Sequence, residues 1–338
     1  MELQASMDYL SETLLIQTGT NLIIKTKMNY MMANTEYLIT LQQLKGVGNK
    51  TIFKVLGNKL AEIKSLQELF YMCKTNKGKS FVKLTYTDFE VANQKAKSII
   101  AENNANGIGI ITFYDINYPS KLRNCITEEG KVDPPLVLYY RGNLDALKMP
   151  SIAIIGTRRP TENGSNAAYF FSKEFASRGY NIVSGLAIGC DTKAHEGTMS
   201  SNGTTTAVLA NGLDWDSIFP KENIELAKSI LDAGGLLLSE YPVSTKCNKY
   251  YLVARDRLQA GLSKATIGIQ SSINGGTMHA IKATLKANKP LFMVKYKHSD
   301  DLLDENVQGN EKYINEGLAY SLCSTSVEKA HSVIIGME

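Results

Sequence analysis

No C-x-x-C pair occurs in this chain. Its five cysteines (Cys73, Cys125, Cys190, Cys247 and Cys323) are dispersed through 338 residues. An odd, scattered set argues for reduced thiols and a cytoplasmic protein. The four histidines (His195, His279, His298, His331) lack zinc-site spacing, and no metal is expected. The apolar stretches are too short to cross a membrane. Residues 10–24 are apolar but are broken by Gln17, Thr18 and Asn21, and no basic segment precedes them, so a signal peptide is not expected. Charge of one sign is scarce too: the formal net charge is +4. Nucleic-acid binding must then rest on local clusters.

Two phosphate-binding signatures are missing. Gly156 is followed by Thr157-Arg158-Arg159, and the next glycine is Gly164, so G-x-G-x-x-G is absent. That disfavours NAD or FAD. No G-x-x-x-x-G-K-[ST] occurs, which excludes a Walker-type ATPase. No cofactor is expected.

Residues 152–195 are the most informative segment. The apolar run Ile152–Ile155 stops at Gly156, a helical pattern covers about Gly164 to Arg178, Gly179 closes it, and Ile182–Val183 begin a second run. This is a strand–loop–helix–strand unit of parallel-crossover length. Ligands of open parallel sheets sit beyond the strands' carboxyl ends, at helix N-termini. Two arginines at that edge point to a phosphate-bearing ligand. Alternation continues through Thr206–Leu209, Glu222–Ala233, Leu236–Leu238, Thr266–Ile269, a helix to Ala287, and Leu291–Val294. It predicts an α/β fold with a mostly parallel sheet and helices on both faces.

Upstream, residues 36–70 read as short helices around Lys45-Gly46-Val47-Gly48-Asn49-Lys50. Helix–GxG–helix is the form of a helix–hairpin–helix, whose amides can hold a DNA phosphate. It is also the form of a small bundle that turns on glycines, and that is the reading adopted. The expected organisation is an extension over 1–35, a small helical domain over 36–107, a Rossmann-like domain over 108–330 and a tail over 331–338.

Three further patterns bear on chemistry. Asp191 fits a helix N-cap, with His195 one turn on; cap plus packed histidine is the reading adopted, because no nucleophile completes a triad. Residues 246–264 carry Lys246, Lys249, Arg255, Arg257 and Lys264 against Asp256, with Tyr250 and Tyr251 interleaved. This suits either single-strand binding or a solvated helix face. Asn274-Gly275-Gly276-Thr277 opens a helix after a strand and frees amides for an anion.

In order along residues 36–330, the segments GTRRPTENG, IVSGLAIGCDTKAHEGTM, NGLDWDSIFPKEN, LLLSEYP and RDRLQAGLS resemble the motifs of the DNA-processing protein A family (DprA, also called Smf). YDINYPSKLRN, DPPLVLYYRGN and GNEKYINEGLAY resemble its flanking segments. The resemblance implies an extended Rossmann-like domain that binds single-stranded DNA with little sequence preference, forms homodimers and helps load a RecA-type recombinase in transformation or recombination. Carried over residue by residue, it implies a DNA-facing pocket of Gly156, Thr157, Arg158, Ser184, Gly185, Lys221, Arg255, Arg257, Gly275, Gly276 and Thr277, with Arg158 and Lys221 holding phosphates. The chain departs from the family at Ile188 (commonly arginine), at Asp256 (asparagine), at NGGTMHA, and at Met293-Val294-Lys295, where V-P-G is missing. No winged-helix tail is expected. The alternative is a nucleotide sensor, or a phosphoribohydrolase of the related lysine-decarboxylase-like family. That family's G-G-x-G-T-x-x-E places its catalytic glutamate where Ala280 stands, so no enzyme activity is expected.

Overall fold

The computed structural model describes residues 34–75 and 79–336. They divide into two compact units between Ile100 and Ala101. The extension expected over 1–35 lies outside the described residues except for its last two, which belong to a helix.

The first unit is helical. Helix α1 (described over 34–43) turns through Gly46, whose φ is +78°, into α2 (Asn49–Leu56), with Gly48 as N-cap. Helices α3 (Leu66–Thr75) and the start of α4 (Tyr86–Ala105) follow. Leu38, Leu41, Ile52, Leu56, Leu69 and Phe89 are fully buried and form its interior. Val47, between the two turn glycines, is buried as well, so the hairpin contributes to this packing whatever else it does.

The second unit holds one nine-stranded sheet. Its strands are β1 (Gly109–Thr112), β2 (Val137–Gly142), β3 (Ser151–Ile155), β4 (Asn181–Ser184), β5 (Thr205–Leu209), β6 (Leu236–Ser239), β7 (Ala265–Gly268), β8 (Leu291–Val294) and β9 (Tyr320–Leu322). The spatial order is β1-β2-β6-β5-β4-β3-β7-β8-β9. From β6 to β9 all pairs are parallel, whereas β1–β2 and β2–β6 are antiparallel. Strands β3 through β8 are buried at every position, which is why each appears in the sequence around a short apolar run, with Ser151, Asn181, Ser184, Thr205, Thr206, Ser239 and Thr266 as buried polar exceptions. The α/β expectation with helices on both faces holds.

The crossover helices are α5 (Glu162–Ser177), α6 (Cys190–Ser200), α7 (Ile224–Asp232), α8 (Lys249–Leu262) and α9 (Thr277–Lys286). Two of them start where side chains take up the orphan amides of a first turn. Thr161 accepts from Gly164 N at 3.1 Å, and Asn248 accepts from Tyr250 N and Tyr251 N at 3.0 Å each. Three more helices follow β8: α10 (Ser299–Leu303), α11 (Gln308–Asn315) and α12 (Val327–Ile335). Residues 331–335, expected in a tail, are the second half of α12. They place Ile334 in the core beside Phe175 and Tyr180.

The chain runs from β3 outward to β6 on one side and from β7 to β9 on the other. The order therefore reverses between β3 and β7. At such a switch point the two sets of strand-end loops splay apart and leave a crevice.

Candidate nucleic-acid interface

That crevice is a cleft of about 490 Å³. The loop after β3 supplies Gly156, Thr157, Arg158 and Arg159, the loop after β7 supplies Ser272, Gly275 and Gly276, and the start of α9 supplies Thr277 and His279. Helix α8 contributes Lys249, Leu252, Val253, Arg255, Asp256 and Gln259. A smaller pocket of about 160 Å³ adjoins it, with Gly185, Ile188, Phe219, Pro220 and Glu222 in its walls. Arg158, Ala187, Leu252 and Arg255 border both.

The loop that carries Arg158 is held from below. Thr157 N donates to Gln270 O at 2.8 Å, Cys190 N donates to Thr157 O at 3.1 Å, and the Thr157 hydroxyl donates to Asn306 Oδ1 at 3.0 Å. Gly189, at φ +85°, lets the α6 turn pass so close that a Cβ there would lie 2.7 Å from the Arg158 carbonyl. Arg158 itself is exposed and has no hydrogen-bond or ion-pair partner among the described residues. A rigid backbone thus presents an uncommitted guanidinium.

Arg255 works from inside. It is 6% exposed, donates from Nη1 to Val208 O at 3.1 Å, and lies 3.3 Å from Asp256 Oδ1 through Nε. Its guanidinium fits only because residue 185 is glycine: a Cβ at Gly185 would overlap Nη1. Beside it is Asp191. The sequence suggests a cap there, but the N-cap of α6 is Gly189 and Asp191 is inside the first turn. Its carboxylate accepts from Gly185 N at 3.1 Å and Ala187 N at 3.3 Å and so shapes the loop after β4. Burial raises its pKa against the opposing pull of Arg255. The same loop holds Leu186 at φ +62°, tied by Asn223 Nδ2 donating to its carbonyl at 2.9 Å. Strain of this kind persists only where the surroundings enforce it.

His195 is fully buried, with Nδ1 2.7 Å from Thr205 Oγ1, and burial pushes its pKa down to about 3. It is a packed neutral histidine. Ala280, 1% exposed, puts a methyl in the cleft wall where the phosphoribohydrolases have glutamate.

Of the residues the resemblance singled out, the cleft and its side pocket bring together Gly156, Thr157, Arg158, Gly185, Arg255, Gly275, Gly276 and Thr277. Ser184 is behind them, fully buried, its hydroxyl donating to Ile154 O at 2.6 Å. Lys221 is exposed at the start of a short 3-10 turn and lines neither cavity. Arg257 also lines neither; it is committed to Glu240 and Asp133. Sequence reading missed that Asp256, His279, Glu305 and Asn306 belong to the same cleft. Burial raises the Asp256 carboxyl to about 6 even beside Arg255.

A mostly parallel sheet whose switch point gathers strand-end loops, the exposed Arg158 and the buried Arg255 defines a Rossmann-like protein without a dinucleotide fingerprint. The profile of the DNA recombination-mediator protein A family matches residues 109–332, and the chain belongs to that family. It is similar to the Smf protein of Synechocystis (40% identical over 163 residues, 47% of this chain and 40% of that protein). It is similar also to the DNA processing protein DprA of Bacillus subtilis (32% over 224 residues, 66% and 71% of the two chains). Among solved structures, DprA of Streptococcus pneumoniae superposes with a TM-score of 0.70 at 26% identity, covering 88% of this chain and 97% of that one. The Helicobacter pylori protein, described for its single-stranded DNA binding mode, gives 0.56 at 29%, covering 67% and 96%. Among the described residues, no helix is long and apolar enough to cross a membrane.

Proposed function

We propose that this protein binds single-stranded DNA in the cleft between β3 and β7 and serves DNA processing and recombination as a binding protein without turnover. The observation that carries the reading is convergence. Arg158, the first-turn amides of α9, Lys249 and the buried Arg255 come from three separate stretches of sequence and meet in one cleft. Amides at a helix start and a forked guanidinium suit phosphate oxygens. The cleft lies at a switch point, not on a projecting recognition helix, which disfavours reading a duplex through its major groove. The Helicobacter pylori relative's single-stranded DNA binding mode supports the same assignment.

Fluorescent oligothymidine should bind more tightly than a duplex of equal length, with affinity falling steeply as salt rises, because phosphate contacts release counterions. Free nucleoside monophosphates should compete poorly. Equal affinity for duplex and single strand at two salt concentrations would remove the reading.

The proposal extends to a homodimer formed through the α/β unit, a RecA-type recombinase as partner, and a cytoplasmic setting. Light scattering on the full chain should give twice the monomer mass at micromolar concentration. A strict monomer would take dimerisation out of the account.

A further inference from the structure

His279 has a partner that the sequence could not reveal. It occupies the third position of α9, just past the Gly275–Gly276 turn, and lines the cleft with its side chain one-third exposed. Its Nδ1 lies 2.8 Å from Glu128 Oε1, on a loop 151 residues earlier in the chain. The other Glu128 oxygen is 3.7 Å from Lys282 Nζ on the next turn of α9. Nε2 has no hydrogen-bond partner among the described residues.

We propose that His279, oriented by Glu128, is a further phosphate-contacting residue of the cleft, and that single-stranded DNA binds with uptake of a proton on its imidazole. The inference rests on the DNA reading above. A carboxylate at Nδ1 keeps the proton on that nitrogen and fixes the ring. In the neutral ring Nε2 then carries a lone pair, which a phosphate oxygen does not welcome. Protonation turns Nε2 into a donor and adds a positive charge beside the α9 amides. Glu128 stabilises the cation that results, and an arriving phosphate does the same from the other side. Glu128 is a positioning residue here, and His279 is the contact.

Other groups face the same space. Helix α8 brings Lys249, Arg255 and Asp256, the loop after β3 brings Arg158 and Arg159, Glu305 lines the cleft just after α10, the loop after β4 is backed by Asp191, and Glu129 and Lys282 flank the Glu128–His279 pair. Asp256 also titrates with a bearing on DNA. With its carboxyl raised to about 6, it carries its negative charge above that pH and sheds it below, so acid removes repulsion toward phosphate. Asp191, raised by burial in the same way, works in the same direction from behind the loop, so the test must part His279 from the carboxylates, and the double variant must lose the pH dependence that Asp256→Asn keeps.

Labelled oligothymidine is titrated into wild type, Asp256→Asn, His279→Gln and the double variant at pH 6 and pH 8, at fixed ionic strength. Asp256→Asn removes the carboxyl's contribution and should still bind about tenfold more tightly at pH 6, the order expected when one histidine takes up a proton on binding. The double variant should differ less than twofold between the two pH values. A double variant that keeps the pH dependence of Asp256→Asn overturns the proposal. A second readout needs no substitution: the His279 ring resonance of the wild-type protein, followed through a pH titration, should shift its midpoint upward when oligothymidine is added. An unmoved midpoint in a protein that binds the oligomer overturns the proposal and leaves the DNA reading intact. Absence of oligothymidine binding by wild type at both pH values overturns the DNA reading, and this inference with it.

Discussion

Arg158→Ala is expected to weaken oligothymidine binding by about 1.5–3 kcal/mol, roughly a tenfold to hundredfold loss, the usual size for hydrogen bonds to charged groups. The residue is exposed and unpartnered among the described residues, and it borders both the large cleft and the side pocket. Its removal orphans no buried group, so the fold should be untouched and melting should be unchanged. The loop beneath it is fixed by Gln270, Cys190 and Asn306, so the guanidinium reaches the ligand with little reorganisation. Loss of one phosphate contact should also flatten the salt dependence by about 0.7 in the log–log slope for a single strand. Arg158→Lys should restore part of the affinity, since it keeps charge but loses the fork. Arg159 lines only the large cleft, and Arg159→Ala should cost less. Wild-type affinity in a folded Arg158→Ala protein would remove the cleft as the DNA path.

Much of this architecture was legible because of burial. A strand covered on both faces is mostly apolar, so β3 to β8 stand out as short apolar runs even though β4, β5 and β7 also bury Asn181, Thr205, Thr206 and Thr266. Strand β9 does not: Tyr320 and Ser321 are exposed, only Leu322 is buried, and three such residues carry no periodicity. The strand-end loops were legible for a related reason. Glycines at 156, 185 and 275 sit where side chains or backbone crowd in, and sequence shows the glycines even though it cannot show the neighbours. What could not be read was direction around helix α8. Basic residues at 249, 255 and 257 look equivalent in a string. On a helix the residues Lys249, Leu252, Val253, Arg255, Asp256 and Gln259 fall within one broad arc that faces the cleft. Arg257, about 100° past Asp256 and beyond Val253, falls outside that arc. Helical spacing was the available signal for that distinction, and charge counting concealed it. No local pattern could have paired His279 with Glu128.

Arg257 is therefore a test of structure. Its Nη1 and Nη2 meet the two Glu240 oxygens at 2.6 and 2.8 Å, and its Nε lies 2.9 Å from Asp133 Oδ2 and donates to Asp133 O at 3.0 Å. The arginine side chain is 7% exposed and that of Glu240 12%. Burial works against its charge, but Glu240, Asp133 and nearby Cys125 more than compensate, and its pKa is raised. Through these bonds α8 is tied to the end of β6 and to the loop before β2. Arg257→Ala would leave the Glu240 carboxylate buried without its fork. Breaking one partner of a buried pair costs about 3–5 kcal/mol, because the survivor keeps its desolvation penalty. Replacing both partners by apolar groups of similar volume is far milder, so Arg257→Met with Glu240→Leu should recover most of the loss. Urea unfolding of the wild type, the single variant and the double variant measures this directly. The DNA side supplies a second discriminator. At temperatures where the Arg257→Ala protein stays folded, its salt slope for oligothymidine should equal that of wild type, because no phosphate contact is lost. A slope shallower by about 0.7, in a protein as stable as wild type, would put Arg257 on the DNA instead.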